Sequence, residues 1–174
     1  NYNTDYKHTG EISTDQLKSL GVEYSIIGHY ERVRDFNENA VIINNKLIAA
    51  LDANIFPILC FGENIDDDYH EAIPKILDKY LKDVENIEFI IFAYEPIFAI
   101  GTGALPSRKR IEEVISFVNE YLEDKYKKKP NLLYGGSVDS ININDIINIE
   151  GIDGVLVGDI SSNIKEVERI IQSV

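Results

Sequence analysis

Apolar runs recur along the chain, and each is followed by a stretch whose apolar residues fall at three- and four-residue steps. Five runs, residues 22–27, 55–61, 89–94, 131–134 and 154–157, are rich in β-branched and aromatic residues and end in turn glycines or polar residues, which predicts strands. Residues 39–53, 69–84, 107–127, 144–149 and 164–171 carry the helical spacing. Ser13 ahead of Leu17 and Leu20, and Ser107, are further helix-start signals, although neither opens a Ser-x-x-Glu box. A strand such as IIFAY, apolar at nearly every position, predicts burial on both faces, as in a parallel sheet covered by helices. The class is therefore α/β. An open doubly wound sheet and a closed (β/α)₈ barrel both satisfy the pattern. No long linker, low-complexity tract or short repeat beyond the βα unit divides residues 1–174, so one domain is expected.

Charge narrows the partners. Lys+Arg number 17 against Asp+Glu 30, a net charge of −13, which argues against nucleic acid or an anionic membrane surface. No apolar stretch approaches the roughly 20 residues of a membrane span, and NYNTDYKHTG lacks a signal pattern, so a cytoplasmic chain is expected. The single cysteine, Cys60, can form neither an internal disulfide nor a thiolate cluster. With no methionine and Asn at position 1, the sequence is expected to be incomplete at its N-terminus, a processed mature protein being the alternative. Lys127, Lys128 and Lys129 read as a solvated helix end, and Asp66, Asp67 and Asp68 as a loop or helix start.

The chemistry sits where strands hand over to loops, which is where parallel α/β proteins build their sites. His29 follows the first strand, and Glu95 closes the third ahead of Pro96. A histidine and a glutamate on separate strand ends can converge as electrophile and base for moving a proton beside a carbonyl. A carboxylate directly after an apolar strand needs a reason to be there, so Glu95 is the stronger candidate; His29 alone reads more readily as a structural or surface histidine. Glu31 and Arg32 read as an ion pair with each other or with neighbours. Gly101, Thr102 and Gly103, then Gly135, Gly136 and Ser137, then Gly158 can offer unobstructed backbone N–H groups to a phosphate. No GxxxxGK[ST] or GxGxxG run points to a nucleotide. Cys60 has no evident activating base and reads as a small buried residue beside the site.

These residues together carry a signature. TGEIS at 9–13, IGHYER at 27–32, CFGE at 60–63, AYEPIFAIGTG at 93–103, YGGSV at 134–138 and DGVLVG at 153–158 resemble, in order and spacing, the triosephosphate isomerase family over essentially the whole chain. That family is a standard illustration of a glutamate base, a neutral histidine electrophile and a closing lid. The resemblance implies that Glu95 moves the proton between the two carbons of a triose phosphate while His29 polarises the carbonyl and enediolate oxygens. It implies a lid over 97–103, and phosphate binding by Gly101, Ser137, Gly158 and the backbone N–H of Asp159, with Tyr134 and Gly135 supporting the closed lid. It further implies glyceraldehyde 3-phosphate and dihydroxyacetone phosphate as substrates, a place in glycolysis and gluconeogenesis, no metal, no organic cofactor, and a homodimer.

Departures from the family pattern set the competing expectation. A (β/α)₈ barrel takes about 250 residues, and the five strands here correspond to the family's last five, so the fold is expected to be an incomplete barrel. The family's catalytic lysine and adjacent asparagine belong to the first strand, and Glu31 resembles the residue that supports that lysine. Asp159 stands where a small neutral residue is usual; a carboxylate about 4 Å from a phosphate costs about 1 kcal/mol in water and about 4 kcal/mol at an effective dielectric near 20. Phe98 replaces a tryptophan, Val33 an arginine, and Pro106 sits where the tyrosine latch commonly meets an amide N–H. The alternative is therefore an inactive or incomplete fragment of the isomerase fold with a binding or structural role, completed by an N-terminal segment or self-associating. A sugar-phosphate aldolase or epimerase would need a Schiff-base lysine or metal ligands at the strand ends, and neither is visible.

Overall fold

A computed structural model of the chain describes residues 1–2, 8–100 and 106–174. Strands β1 (Tyr24–Ile27), β2 (Phe56–Phe61), β3 (Ile91–Tyr94), β4 (Asn131–Tyr134) and β5 (Gly154–Val155) form one sheet in the order β1-β2-β3-β4-β5. Every neighbouring pair is parallel. A doubly wound sheet reverses its strand order at a switch point; this sheet never does. Strictly sequential order is that of consecutive units of a (β/α)₈ barrel, and it decides between the two architectures that the hydrophobic pattern leaves open.

Helices α1 (Thr14–Ser19), α2 (Tyr30–Phe36), α3 (Ala40–Asp52), α4 (Tyr69–Tyr80), α5 (Arg108–Tyr126), α6 (Ile143–Ile147) and α7 (Ile164–Gln172) complete the description. Their starts follow the capping chemistry. Asn39 accepts from the N–H groups of Val41 and Ile42, Asp68 from His70, and Ser107 from Arg110. At α1 the box expected to be missing is present with glutamine in the acidic position: Gln16 N–H donates to Ser13 Oγ while Ser13 N–H donates to Gln16 Oε1. Expected strands shorten where the backbone bonds elsewhere. Val22 N–H is taken by Leu17 of α1, and residues 87–89 form a 3₁₀ turn ahead of β3.

The pleat divides the sheet into two unlike faces. Ile27, Leu59, Phe92 and Leu132 face the helices and are buried against Ile43, Leu47, Ile73, Leu77, Val114, Ile115, Val118 and Leu122. The opposite, inward face carries Tyr24, Ile26 and Phe56, which remain 51%, 52% and 40% exposed. Tyr24 stacks on Phe56 at 5.4 Å, and Phe56 meets Phe89 at 6.3 Å, so apolar surface lies open at the strands' N-terminal ends. Because β1 has a sheet partner on one side only, residues 1–174 expressed alone are expected to self-associate or precipitate. Light scattering beside a circular-dichroism melt checks this; a cooperatively melting monomer contradicts it.

Candidate active site

Parallel register brings the C-terminal ends of all five strands to one rim, pairing Ile27 with Leu59, Phe61 with Tyr94, and Tyr94 with Tyr134. The candidate residues from four of those ends therefore share a rim. Gly101 lies outside the described residues.

His29 leaves β1 through Gly28, whose φ of +78° turns the chain into α2. That helix, which the helical spacing does not predict, is capped by the His29 side chain: Glu31 N–H donates to Nδ1 at 3.4 Å. A ring nitrogen that accepts carries no proton, so this geometry assigns the hydrogen of the neutral ring to Nε2. Nε2 lies 3.6 Å from Glu95 Oε1.

Glu95 shares the inward parity of Ile91 and Ala93 and is 3% exposed. Its main chain is pinned to the next strand by an N–H bond to the Phe61 carbonyl at 2.8 Å. Burial pushes its carboxyl above the usual carboxylate range; His29, the Cys60 thiol and the Tyr30 N–H pull it down without cancelling that push, and Glu31 adds to it. A carboxylate raised in this way is a stronger base once ionised. Its space is reserved by two close approaches. A Cβ on Gly135 would lie 2.8 Å from Glu95 Cγ, and one on Gly62 only 1.8 Å from the Glu95 carbonyl oxygen. Cys60 is buried, and burial together with the adjacent Glu95 charge raises its thiol far above its ordinary value. It stays protonated and hydrogen-bonds to Glu95, which removes it from consideration as a nucleophile.

Ser137, Gly158 and Asp159 follow the neighbouring strands β4 and β5. Ser137 Oγ donates to the Ala99 carbonyl at 2.8 Å, tying this turn to the 3₁₀ turn Ile97–Ala99. Asp159 opens a third 3₁₀ turn, Asp159–Ser162, and is exposed; beside it, Gly158 has open space within 4 Å of a Cβ position. The buried Tyr134 hydroxyl has no hydrogen-bond partner among the described residues, and Pro106 has no N–H to offer it. No group of three or more His, Cys, Asp or Glu side chains that could hold a metal ion occurs among the described residues.

Of the partners left open for Arg32 the structure has a neighbour, Glu38, reached through Nε at 2.8 Å and Nη2 at 2.6 Å. Burial pushes Glu38 up, but hydrogen bonds from Lys46 and Arg32 outweigh it and hold the carboxyl below its usual range. Glu63, fully buried beneath α5, also went unassigned from sequence, although it follows an apolar strand just as Glu95 does.

The chain is similar over nearly its whole length to known proteins. A family model for triosephosphate isomerase matches residues 2–174. A triosephosphate isomerase of Alkaliphilus oremlandii is 37% identical over 96% of this chain and 71% of its own length. One from Alkaliphilus metalliredigens is 40% identical over 86% of this chain and 64% of its own. One from Ehrlichia chaffeensis is 38% identical over 98% and 69%. The sequential parallel sheet, the His29–Glu95 pair at its rim and these matches agree, and the chain belongs to the triosephosphate isomerase family.

Proposed function

We propose that this chain carries the base, the electrophile and part of the phosphate site of an isomerase that interconverts glyceraldehyde 3-phosphate and dihydroxyacetone phosphate. The observation that carries this reading is the 3.6 Å approach of His29 Nε2 to Glu95 Oε1, with Nδ1 occupied by the Glu31 N–H. Ionised Glu95 takes the proton from the carbon beside the carbonyl. The Nε2–H of neutral His29 hydrogen-bonds the oxygen on which charge develops, stabilising the enediolate; the hydroxyl proton passes from the neighbouring oxygen to this one, which leaves the new carbonyl behind, and Glu95 returns its proton to the neighbouring carbon. Backbone N–H groups at Gly158 and Asp159 and the turn at Ser137 would hold the phosphate, with Gly101 added from outside the described residues. No metal or organic cofactor is assigned to this chemistry. Sequence similarity supports the substrate and activity.

The same reading takes residues 1–174 as a single partial (β/α)₈ domain in a cytoplasmic homodimer. Among the described residues no helix is long and apolar enough to cross a membrane. Family membership and the open inward face support either a second copy or an N-terminal complementing segment as the companion of this chain. A coupled assay for conversion of glyceraldehyde 3-phosphate, run on the protein carrying this chain, tests the activity; no conversion by a folded protein would leave the alternative of an inactive isomerase fold. That alternative draws on Asp159, an exposed carboxylate at the phosphate turn. Asp159→Gly is accordingly expected to tighten binding of a phosphate-bearing inhibitor by about tenfold, the equivalent of about 1.4 kcal/mol. Calorimetric titration reads this, and unchanged affinity would show that the side chain points away from the phosphate.

A further inference from the structure

Two buried glutamates stand at the ends of neighbouring strands, and the pleat sends them to opposite faces of the sheet. Glu95 turns inward with Cys60. Glu63 has the parity of Leu59 and Phe61 and lies on the helix side, 0% exposed. The chemistry proposed above uses only the first. A carboxylate buried this completely persists only where donors hold it.

The donors of Glu63 come from both sides of Glu95. Tyr94, the residue before Glu95, donates its hydroxyl to Glu63 Oε1 at 3.0 Å. Ile97, two residues after Glu95, donates its N–H to the Glu63 main-chain carbonyl at 3.0 Å. The third donor is Arg110 in the first turn of α5, whose Nη2 reaches Oε1 at 2.8 Å while its guanidinium lies 4.2 Å over the Tyr69 ring at the start of α4. Oε2 has no partner among the described residues, so without Arg110 the Tyr94 hydroxyl would be the one side-chain donor left to the carboxylate among those residues.

We propose that Glu63 and Arg110 are a positioning pair for the catalytic base: Glu63 holds both flanks of Glu95, the Tyr94 hydroxyl through its carboxylate and the Ile97 N–H through its main-chain carbonyl, and Arg110 fixes Glu63 to the helices behind the sheet. The proposal rests on the reading of Glu95 as the base. Neither residue touches substrate in this arrangement; they act through the geometry of residues 94–97. A misplacement of about 1 Å at a reacting group can cost about 10²-fold in rate, which gives such a pair leverage from behind the sheet.

Arg110→Gln in the protein carrying this chain tests it. The expected result is a fall in kcat of about ten- to a hundredfold per folded molecule, with KM within about twofold, a displaced acid limb in the pH profile of kcat/KM, and amide hydrogen exchange at Ile97 at least about tenfold faster. Arg110→Lys, which keeps the charge but not the planar fork, is expected to recover part of kcat. A merely stabilising pair would lower the melting temperature and leave kcat per folded molecule, the pH profile and the exchange at Ile97 unchanged; that result overturns the proposal, as does faster exchange with unchanged kcat. If the unsubstituted protein shows no isomerase activity, the reading of Glu95 falls separately, and the exchange at Ile97 still decides whether Arg110 anchors the strand end. Should Arg110→Gln fail to fold, Arg110→Lys supplies the same readouts with a smaller expected change.

Discussion

Glu95→Gln is expected to lower kcat by at least about 10²–10⁴-fold, the usual share of a positioned general base, while binding of a phosphate-bearing inhibitor changes little. Glutamine keeps the volume of the side chain while turning one acceptor oxygen into an amide donor, and the 2.8 Å tie to Phe61 is made by the main-chain N–H, so that tie and the space left by Gly135 remain as they are. Only the proton acceptor is lost. A steady-state assay beside a titration of the inhibitor separates the two quantities, and turnover within about threefold of the unsubstituted protein would remove Glu95 from the role of base.

The same substitution has a signed effect on stability. Glu95 is held above its ordinary value, mainly by burial, so the native state binds its proton more tightly than the unfolded chain does. The relative stabilisation from this group is complete below the unfolded value of 4.5 and is lost as pH rises through the raised native value. Near neutrality the ionised carboxylate is thus a net destabiliser. Glu95→Gln should raise the melting temperature at pH 7–8, by about 2–4 °C for each kcal/mol of burial penalty removed, and the gain should vanish by about pH 4. For the same reason the acid limb of kcat/KM should lie above the ordinary carboxylate range.

How much of this was legible in the sequence depended on whether a residue's role left a local trace. The strands and long helices were, because residues such as Phe92 and Leu132 alternate toward the helices and Ile111, Val114, Ile115, Val118 and Leu122 recur at helical steps in α5. Helix α2 was not: YERVRDF buries no residue, and it forms where His29 caps it. Strand order was invisible, since βα alternation is common to both architectures and only pairing separates them. At the site, Glu95 announced itself as a carboxylate ending an apolar strand. Glu63 gave that same signal in FPILCFGE, but its meaning depends on Arg110, 47 positions further on, and no short-range pattern connects the two. Glu38 was hidden in the same way, its partner Lys46 lying on α3.

Gly62→Ala is expected to damage folding and catalysis together. A Cβ there would stand 1.8 Å from the Glu95 carbonyl oxygen, 2.6 Å from the Glu95 carbonyl carbon and 3.3 Å from the Pro96 nitrogen. All three are backbone atoms, which cannot rotate aside as a side chain can, so either β2 or β3 must move at its end. The bonds at stake are those that set the base, Glu95 N–H to Phe61 and Ile97 N–H to the Glu63 carbonyl. Overpacking of this kind typically costs about 1–3 kcal/mol and, against rigid backbone, more. A shift of about 1 Å at Glu95 would cost about 10²-fold in turnover of the molecules that still fold. Denaturant unfolding with kcat normalised to the folded fraction measures both losses. Gly158→Ala is the stability control, because nothing lies within 4 Å of its Cβ position. Wild-type stability and turnover in Gly62→Ala would mean that the approach of β2 to the Glu95 backbone is looser than described, and with it the case for a base positioned by the main chain.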